Sequence, residues 1–224
     1  MTTTVVTIAR TLGAGGELIG RAVADRLGFR YVDEEIISAA AQKENVDPAV
    51  IADVERRKPL LARLIESFGS GPALEATALG GMMADPGLYF PQGFGGVDRL
   101  PVNLPDYYRD LIRQAIVETA HAGSVVIHAH AAGMTLAGNP GLLRILVTAP
   151  PEIRIRRLVE SSSLSAKEAE KTIHDSDRDR RDYFKRFHRL SDELPTDYDL
   201  VVNTAVLSPE SAARTIVAAA GADV

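Results

Sequence analysis

Four short runs rich in valine, isoleucine and leucine constrain the fold of this chain more than any other feature. They are VVTIA from Val5, VVIHA from Val125, RILVTA from Arg144 and DLVVN from Asp199. Near-continuous apolar runs of this length read as strands buried on both faces, the way parallel sheets covered by helices are built. Helical patterns lie between them. Leu18, Ile19, Ala22, Val23 and Leu27 recur at helical spacing, Ser165 with Glu168 forms a capping box, and Ser208 followed by Pro209 opens a C-terminal helix. A further short strand is expected from Phe29 to Val32. This alternation predicts an α/β fold, a three-layer sandwich around a mostly parallel sheet of about five strands.

With 224 residues, 46% of them hydrophobic, the chain is expected to form one main domain over 1–224. A net charge of -5 argues against a nucleic-acid polymer as partner, though not against local basic pockets. The absence of cysteine removes disulfides and thiolate metal sites. No run approaches the roughly 20 apolar residues of a membrane span, and MTTTVVTIAR has no leader pattern. A cytoplasmic protein with no membrane partner is therefore expected. The stretch from Phe68 to Pro105 is dense in glycine and proline and has no period. Within an insertion at about 45–105, it reads either as a substrate-side element or as a disordered loop.

The first strand runs directly into Gly13, Gly15 and Gly16 and then into a helix starting near Glu17. Such a turn points successive N–H groups inward while the helix adds its positive end, so an anion is stabilised without side chains. The candidate phosphate cradle is thus Gly13, Ala14, Gly15, Gly16 and Glu17. Against the pattern G-x-x-x-x-G-K-[ST], Gly15 matches the second glycine. Arg10 stands at the first, Gly16 at the lysine and Glu17 at the hydroxyl. Arg10 is expected to supply part of the missing charge. A dinucleotide reading rests on Gly13, Gly15 and the acid Asp33, with Leu18 at the third glycine. A plain strand-to-helix turn is the third possibility.

TIARTLGAGGELIGRAVADRLGFRYVDEEII resembles the opening of the cytidylate kinase-like family, part of the nucleoside monophosphate kinase group: strand, Ser-Arg, glycine turn, helix, then Tyr-x-Asp-x-Glu-Ile. Ala9 and Ala14 replace serines. A second region, GLLRILVTAPPEIRIRRLVESSSLSAKEAEKTIHDSDRDRRDYFKRFH, resembles the family's Ala-Pro, Arg-Ile-x-Arg, Leu-Ser-x-x-Glu-Ala and Asp-x-x-Arg-x-x-Tyr. The closing YDLVVNTAVLSPESAARTI is similar as well. That family often lacks the phosphate-loop lysine. The resemblance implies a phosphate-loop kinase fold with a helical lid at about 151–190, with ATP and Mg²⁺ as cofactors. It also implies phosphoryl transfer to a nucleoside monophosphate or another small acceptor. Arg154, Arg157 and Arg180 are then expected on the phosphates, because guanidinium forks cancel charge on transferring phosphoryl groups.

The family's central strand usually ends in Val-Gly-Arg-Gly, whereas this chain reads IHAHA, with His128 and His130 at the glycines and Ala129 at the arginine. Two histidines two apart on a strand share a face, so they are candidates for a metal, or for substrate phosphate or base. Asp33 is expected on the acceptor side, orienting or deprotonating a hydroxyl, or else as the N-cap of the next helix. Asp177 lies with Arg180 on an otherwise apolar helical stripe. It is assigned to the substrate side, unless the two form an i,i+3 ion pair. Glu17 either holds magnesium through water or repels phosphate. A nucleotide-binding module without turnover and an NAD-type oxidoreductase are the rival functions, and the sequence leaves a homodimer open.

Overall fold

The computed structural model describes residues 3–33, 35–44, 48, 104–128 and 131–221. They belong to two compact units, one of 1–36 with 113–224 and one of 37–112. Most of the second unit, with the expected insertion at 45–105, lies outside the described residues, as do Ala129 and His130. Its described parts are helical, within α2 (Glu35–Glu44) and α3 (Leu104–His121).

The first unit is built on five parallel strands, β1 (Val5–Arg10), β2 (Arg30–Val32), β3 (Val125–His128), β4 (Leu142–Thr148) and β5 (Leu200–Asn203), in the order β2-β3-β1-β4-β5. The runs of β1, from Val5 to Ile8, and of β3 are continuously buried, on both faces, whereas β5 at the edge of the sheet leaves Val201 38% exposed. Val6, Ile8, Val126, Ile145 and Val147 are buried in one core cluster. Each such side chain contributes about 1.5–3 kcal/mol by leaving water. Strand β1 lies between β3 and β4, whereas dinucleotide-binding sheets run 3-2-1-4-5-6 with the first strand beside the second. That order removes the oxidoreductase reading.

Helix α1 (Gly16–Leu27) covers β1 with Ile19 and Val23. At Gly20 a Cβ would stand 3.0 Å from the Tyr31 ring, so the glycine lets helix and sheet close up. After the short α4 (Ala132–Thr135) and β4 come α5 (Pro151–Ser161) and α6 (Ala166–Tyr183), the expected lid helices. The expected Ser165–Glu168 capping box opens α6, and a π-helical turn (Phe184–His188) ends it. Helix α7 (Pro209–Ala219) starts at the Ser208 cap, as its sequence implies. Among the described residues no helix is long and apolar enough to cross a membrane.

Outside the site, Asp199 clamps β4 to β5. It accepts from the Arg144 backbone at 2.8 Å and from the guanidinium at 2.8 and 3.2 Å. The Arg144 side-chain hydrogen bond holds the Asp199 carboxyl below its ordinary pKa. A carboxyl depressed in the folded state stabilises above its unfolded value, about 3.9, and that contribution fades as pH falls through the lower folded value. Asp199→Asn should therefore flatten the acid limb of a urea-midpoint profile below about pH 4 and leave its shape at neutral pH unchanged.

Candidate functional site

Because the strands are parallel, their carboxyl ends lie along one edge. Arg10, Asp33 just after β2, His128, Ala149 just after β4 and Thr204 just after β5 all come from it. Between β1 and α1 the chain makes the glycine turn, with Gly13 at φ 78° and Gly15 at φ 80°. Both are left-handed conformations that side chains disfavour. Gly15 is the N-cap of α1 and supplies no side-chain acceptor, so the first-turn amides are left for another partner.

The turn is polarised. All its carbonyls from Arg10 to Gly15 accept a hydrogen bond: Arg10 O from Arg180 at 3.0 Å, Thr11 O from the Ala14 amide at 3.1 Å, and Leu12 O from Arg154 at 3.4 Å. Gly13 O accepts from Arg157 at 3.5 Å, Ala14 O from the Thr204 hydroxyl at 2.9 Å, and Gly15 O from the Ile19 amide at 3.2 Å. In a trans peptide the C=O of one residue and the N–H of the next point in opposite directions. Holding the carbonyls of Leu12, Ala14 and Gly15 therefore fixes the amides of Gly13, Gly15 and Gly16 facing away from those donors. The amides of Gly13, Gly15, Gly16 and Glu17 donate to no acceptor among the described residues. Ala14 differs, since its amide closes the turn on Thr11 and its side chain is buried in the core.

The three arginines expected on phosphate thus reach the turn from behind. Arg154, 4% exposed, donates to Ala149 O at 3.0 Å as well as Leu12 O, and grips both oxygens of Asp177 at 2.9 and 2.7 Å. Arg157 holds the Thr204 carbonyl at 2.6 Å and its hydroxyl at 2.8 Å. Arg180 pairs with both oxygens of Glu193 at 2.7 and 2.6 Å and stacks on the Phe184 ring at 4.9 Å. Burial disfavours the Arg180 charge, but the Glu193 carboxylate outweighs it and the guanidinium holds its proton more tightly than usual. The Tyr198 hydroxyl, which also donates to Glu193, is pushed well above the ordinary tyrosine pKa, mainly by burial. Asp177 and Arg180 do not pair with each other, so the i,i+3 ion pair does not form, although both lie on the helical stripe with the buried Ala169, Ile173 and Phe184. Their partners come from α5 and from beyond α6.

A groove of about 490 Å³ opens beside the turn, lined by Gly13, Ala14, Gly15 and Leu18 together with Arg157 and Thr204, whose side chains also hold the turn's carbonyls. Leu18, 61% exposed, forms an apolar wall. Glu17 is exposed and pairs with Arg21 at 3.1 Å. On the other flank His128, fully buried, accepts from Arg10 Nε at its Nε2, 3.0 Å away. An arginine Nε only donates, so the imidazole proton sits on Nδ1 and is donated to Asp33 Oδ2 at 3.0 Å. Tyr31 stacks on the imidazole with ring centroids 5.9 Å apart. Both nitrogens of His128 are therefore committed, which leaves none for a metal. Asp33 engages His128 through its carboxylate and the Ile36 amide through its backbone oxygen at 3.2 Å.

The model of the cytidylate kinase-like family matches residues 5–206, across both ends of this site and everything between. The chain belongs to the cytidylate kinase-like family. It is 33% identical over 125 residues to a cytidylate kinase of Ignicoccus hospitalis, covering 54% of this chain and 72% of that protein. A solved but uncharacterized protein of Eubacterium ventriosum shares the fold with a TM-score of 0.62 at 12% identity, over 99% of this chain and 100% of the other. A shikimate kinase of Bacteroides thetaiotaomicron aligns with a TM-score of 0.49 at 15% identity, over 98% and 99%.

Sequence reasoning missed Thr204, Glu193 and Tyr198. Thr204 sits in a segment that matches the family, just past an apolar strand, and a buried hydroxyl there was its signal. Glu193 lies in a polar connection, SDELPTD, where nothing separates a buried carboxylate from a solvated one.

Proposed function

We propose that the protein is an ATP-dependent phosphotransferase whose glycine turn binds the donor's phosphates and whose acceptor is a nucleoside monophosphate or another small molecule. The observation that carries this reading is the polarity of the turn: its carbonyls are all engaged, while the amides of Gly13, Gly15, Gly16 and Glu17 remain available at the positive end of α1. Phosphoryl transfer asks a protein mainly for positioning and for electrostatic stabilisation in place before the reaction. In this reading Arg154, Arg157 and Arg180 serve the phosphates by fixing the turn, and the groove beside Leu18 takes the donor's base and ribose.

Asp33 stands on the acceptor side. Its hydrogen bond from His128 fixes the carboxylate at the end of β2, where it would orient an acceptor hydroxyl. Magnesium keeps several waters and is held largely by substrate phosphates, so one nearby carboxylate suffices, and Glu17 fits once its exposed pair with Arg21 opens. When bound with ATP the ion would neutralise phosphate charge. Membership of the family and the cytidylate kinase relative support a pyrimidine monophosphate as the first acceptor to try.

Calorimetric titration with MgATP, followed by an ADP-release assay over the common nucleoside monophosphates, tests the reading. Saturable MgATP binding that inorganic tripolyphosphate competes away, with turnover on at least one acceptor, is the expected result. No MgATP binding would overturn it, and binding without turnover on any acceptor would make the protein a nucleotide-sensing module built on the same site.

A further inference from the structure

The ordinary phosphate loop carries glycine at the position of Arg10 and lysine at the position of Gly16. Here the two are exchanged, and the backbone says why. A Cβ placed on Gly16 would lie 2.7 Å from the Arg10 Cβ, 3.0 Å from its Cδ and 3.3 Å from its Cγ. Carbon atoms do not approach that closely, so at this backbone geometry only one of the two positions can carry a side chain. The Arg10 stem runs alongside the first residue of α1, on the ground where the stem of a lysine at 16 would start.

We propose that Arg10 is the cation that replaces the phosphate-loop lysine, having moved from the helix to the strand by a steric exchange with Gly16, and that His128 aims it. This rests on the phosphotransferase reading and names the side chain that contacts the donor's phosphates. Arg10 is anchored twice behind its fork: its carbonyl accepts from Arg180 at 3.0 Å and its Nε donates to His128 Nε2 at 3.0 Å. Its two terminal nitrogens donate to no described residue. A guanidinium held by Nε presents those nitrogens as a fixed pair, the geometry that matches two phosphate oxygens. His128 is itself fixed by Asp33 and by the stacked Tyr31, so the carboxylate assigned to the acceptor and the cation assigned to the donor are spaced by one buried imidazole.

The test compares MgATP with adenosine, which lacks phosphate, on three folded variants whose melting is recorded alongside. Arg10→Gln should weaken MgATP about 30-fold, as expected for losing a charge-assisted contact, and leave adenosine within about 2-fold. Gly16→Lys alone should melt earlier and bind MgATP no better than Arg10→Gln. The double variant Arg10→Gly, Gly16→Lys restores the ordinary arrangement and should bind MgATP at least about 5-fold tighter than Arg10→Gln. Equal MgATP affinity of Arg10→Gln and wild type would overturn the inference, as would a folded double variant that binds no tighter than Arg10→Gln. A wild-type protein that binds no MgATP would sink the phosphotransferase reading together with this one. Wild-type binding with an undiminished Arg10→Gln sinks this one alone.

Discussion

Asp177→Asn should lower the unfolding free energy by about 3 kcal/mol, the low end for breaking a buried ion pair, and should weaken MgATP binding although Asp177 lies behind the turn. Arg154 is 4% exposed and, among the described residues, makes its one ion pair with this carboxylate. The variant leaves a cation out of water without its counter-charge, with the carbonyls of Ala149 and Leu12 and a single side-chain amide oxygen as acceptors. Those two carbonyls, and the solvent that reaches Asp177, keep the loss from being larger. Once Arg154 shifts toward water, Leu12 O loses its donor, the Leu12–Gly13 peptide is free to rotate, and the Gly13 amide is no longer aimed. Urea denaturation gives the first effect and calorimetric titration the second. Arg178→Ala is the internal control. It breaks an exposed pair with Asp175 on the same helix and should change stability by less than about 0.5 kcal/mol. A change below about 1 kcal/mol for Asp177→Asn would mean that the brace is not buried as described.

Gly13→Ala carries the second large effect, a loss of about 3 kcal/mol in stability and at least about tenfold in MgATP affinity. Two costs combine. At φ 78° any other residue is strained, and the new Cβ would stand 2.9 Å from the backbone oxygen of Arg154, which cannot turn aside. Gly15→Ala separates them, because Gly15 has φ 80° but nothing within 4 Å of an added Cβ. It should lose only the conformational part, about 1–2 kcal/mol. Equal losses at the two positions in urea denaturation would show that the approach of α5 to the turn carries no energy.

The parts of this molecule that sequence reveals are those whose cause is local. VVTIA and VVIH are strands because unbroken apolar runs fit a doubly covered sheet, and Ser165–Glu168 and Ser208–Pro209 start helices because their hydrogen bonds close within three residues. Strand order is different, for nothing in the run at Val125 says that it inserts between β1 and β2. The arginines show the same limit at the level of chemistry. A guanidinium satisfies carbonyls and carboxylates as well as phosphates, so Arg154, Arg157 and Arg180 could be found by type and spacing, but not the side of the turn on which they act. Asp177 had a plausible neighbour three residues away, yet its partner is 23 residues back. His128 read as half of a histidine pair. Its nitrogens are instead spent on Arg10 and Asp33, 118 and 95 residues distant in the chain.

The most direct measurement is a crystal structure with magnesium and a non-hydrolysable ATP analogue. The account predicts phosphate oxygens within about 3 Å of the amide nitrogens of Gly13, Gly15, Gly16 and Glu17, with Arg154 and Arg157 still on the carbonyls behind them. A triphosphate bound away from the turn, or a turn whose carbonyls face it, would contradict the account.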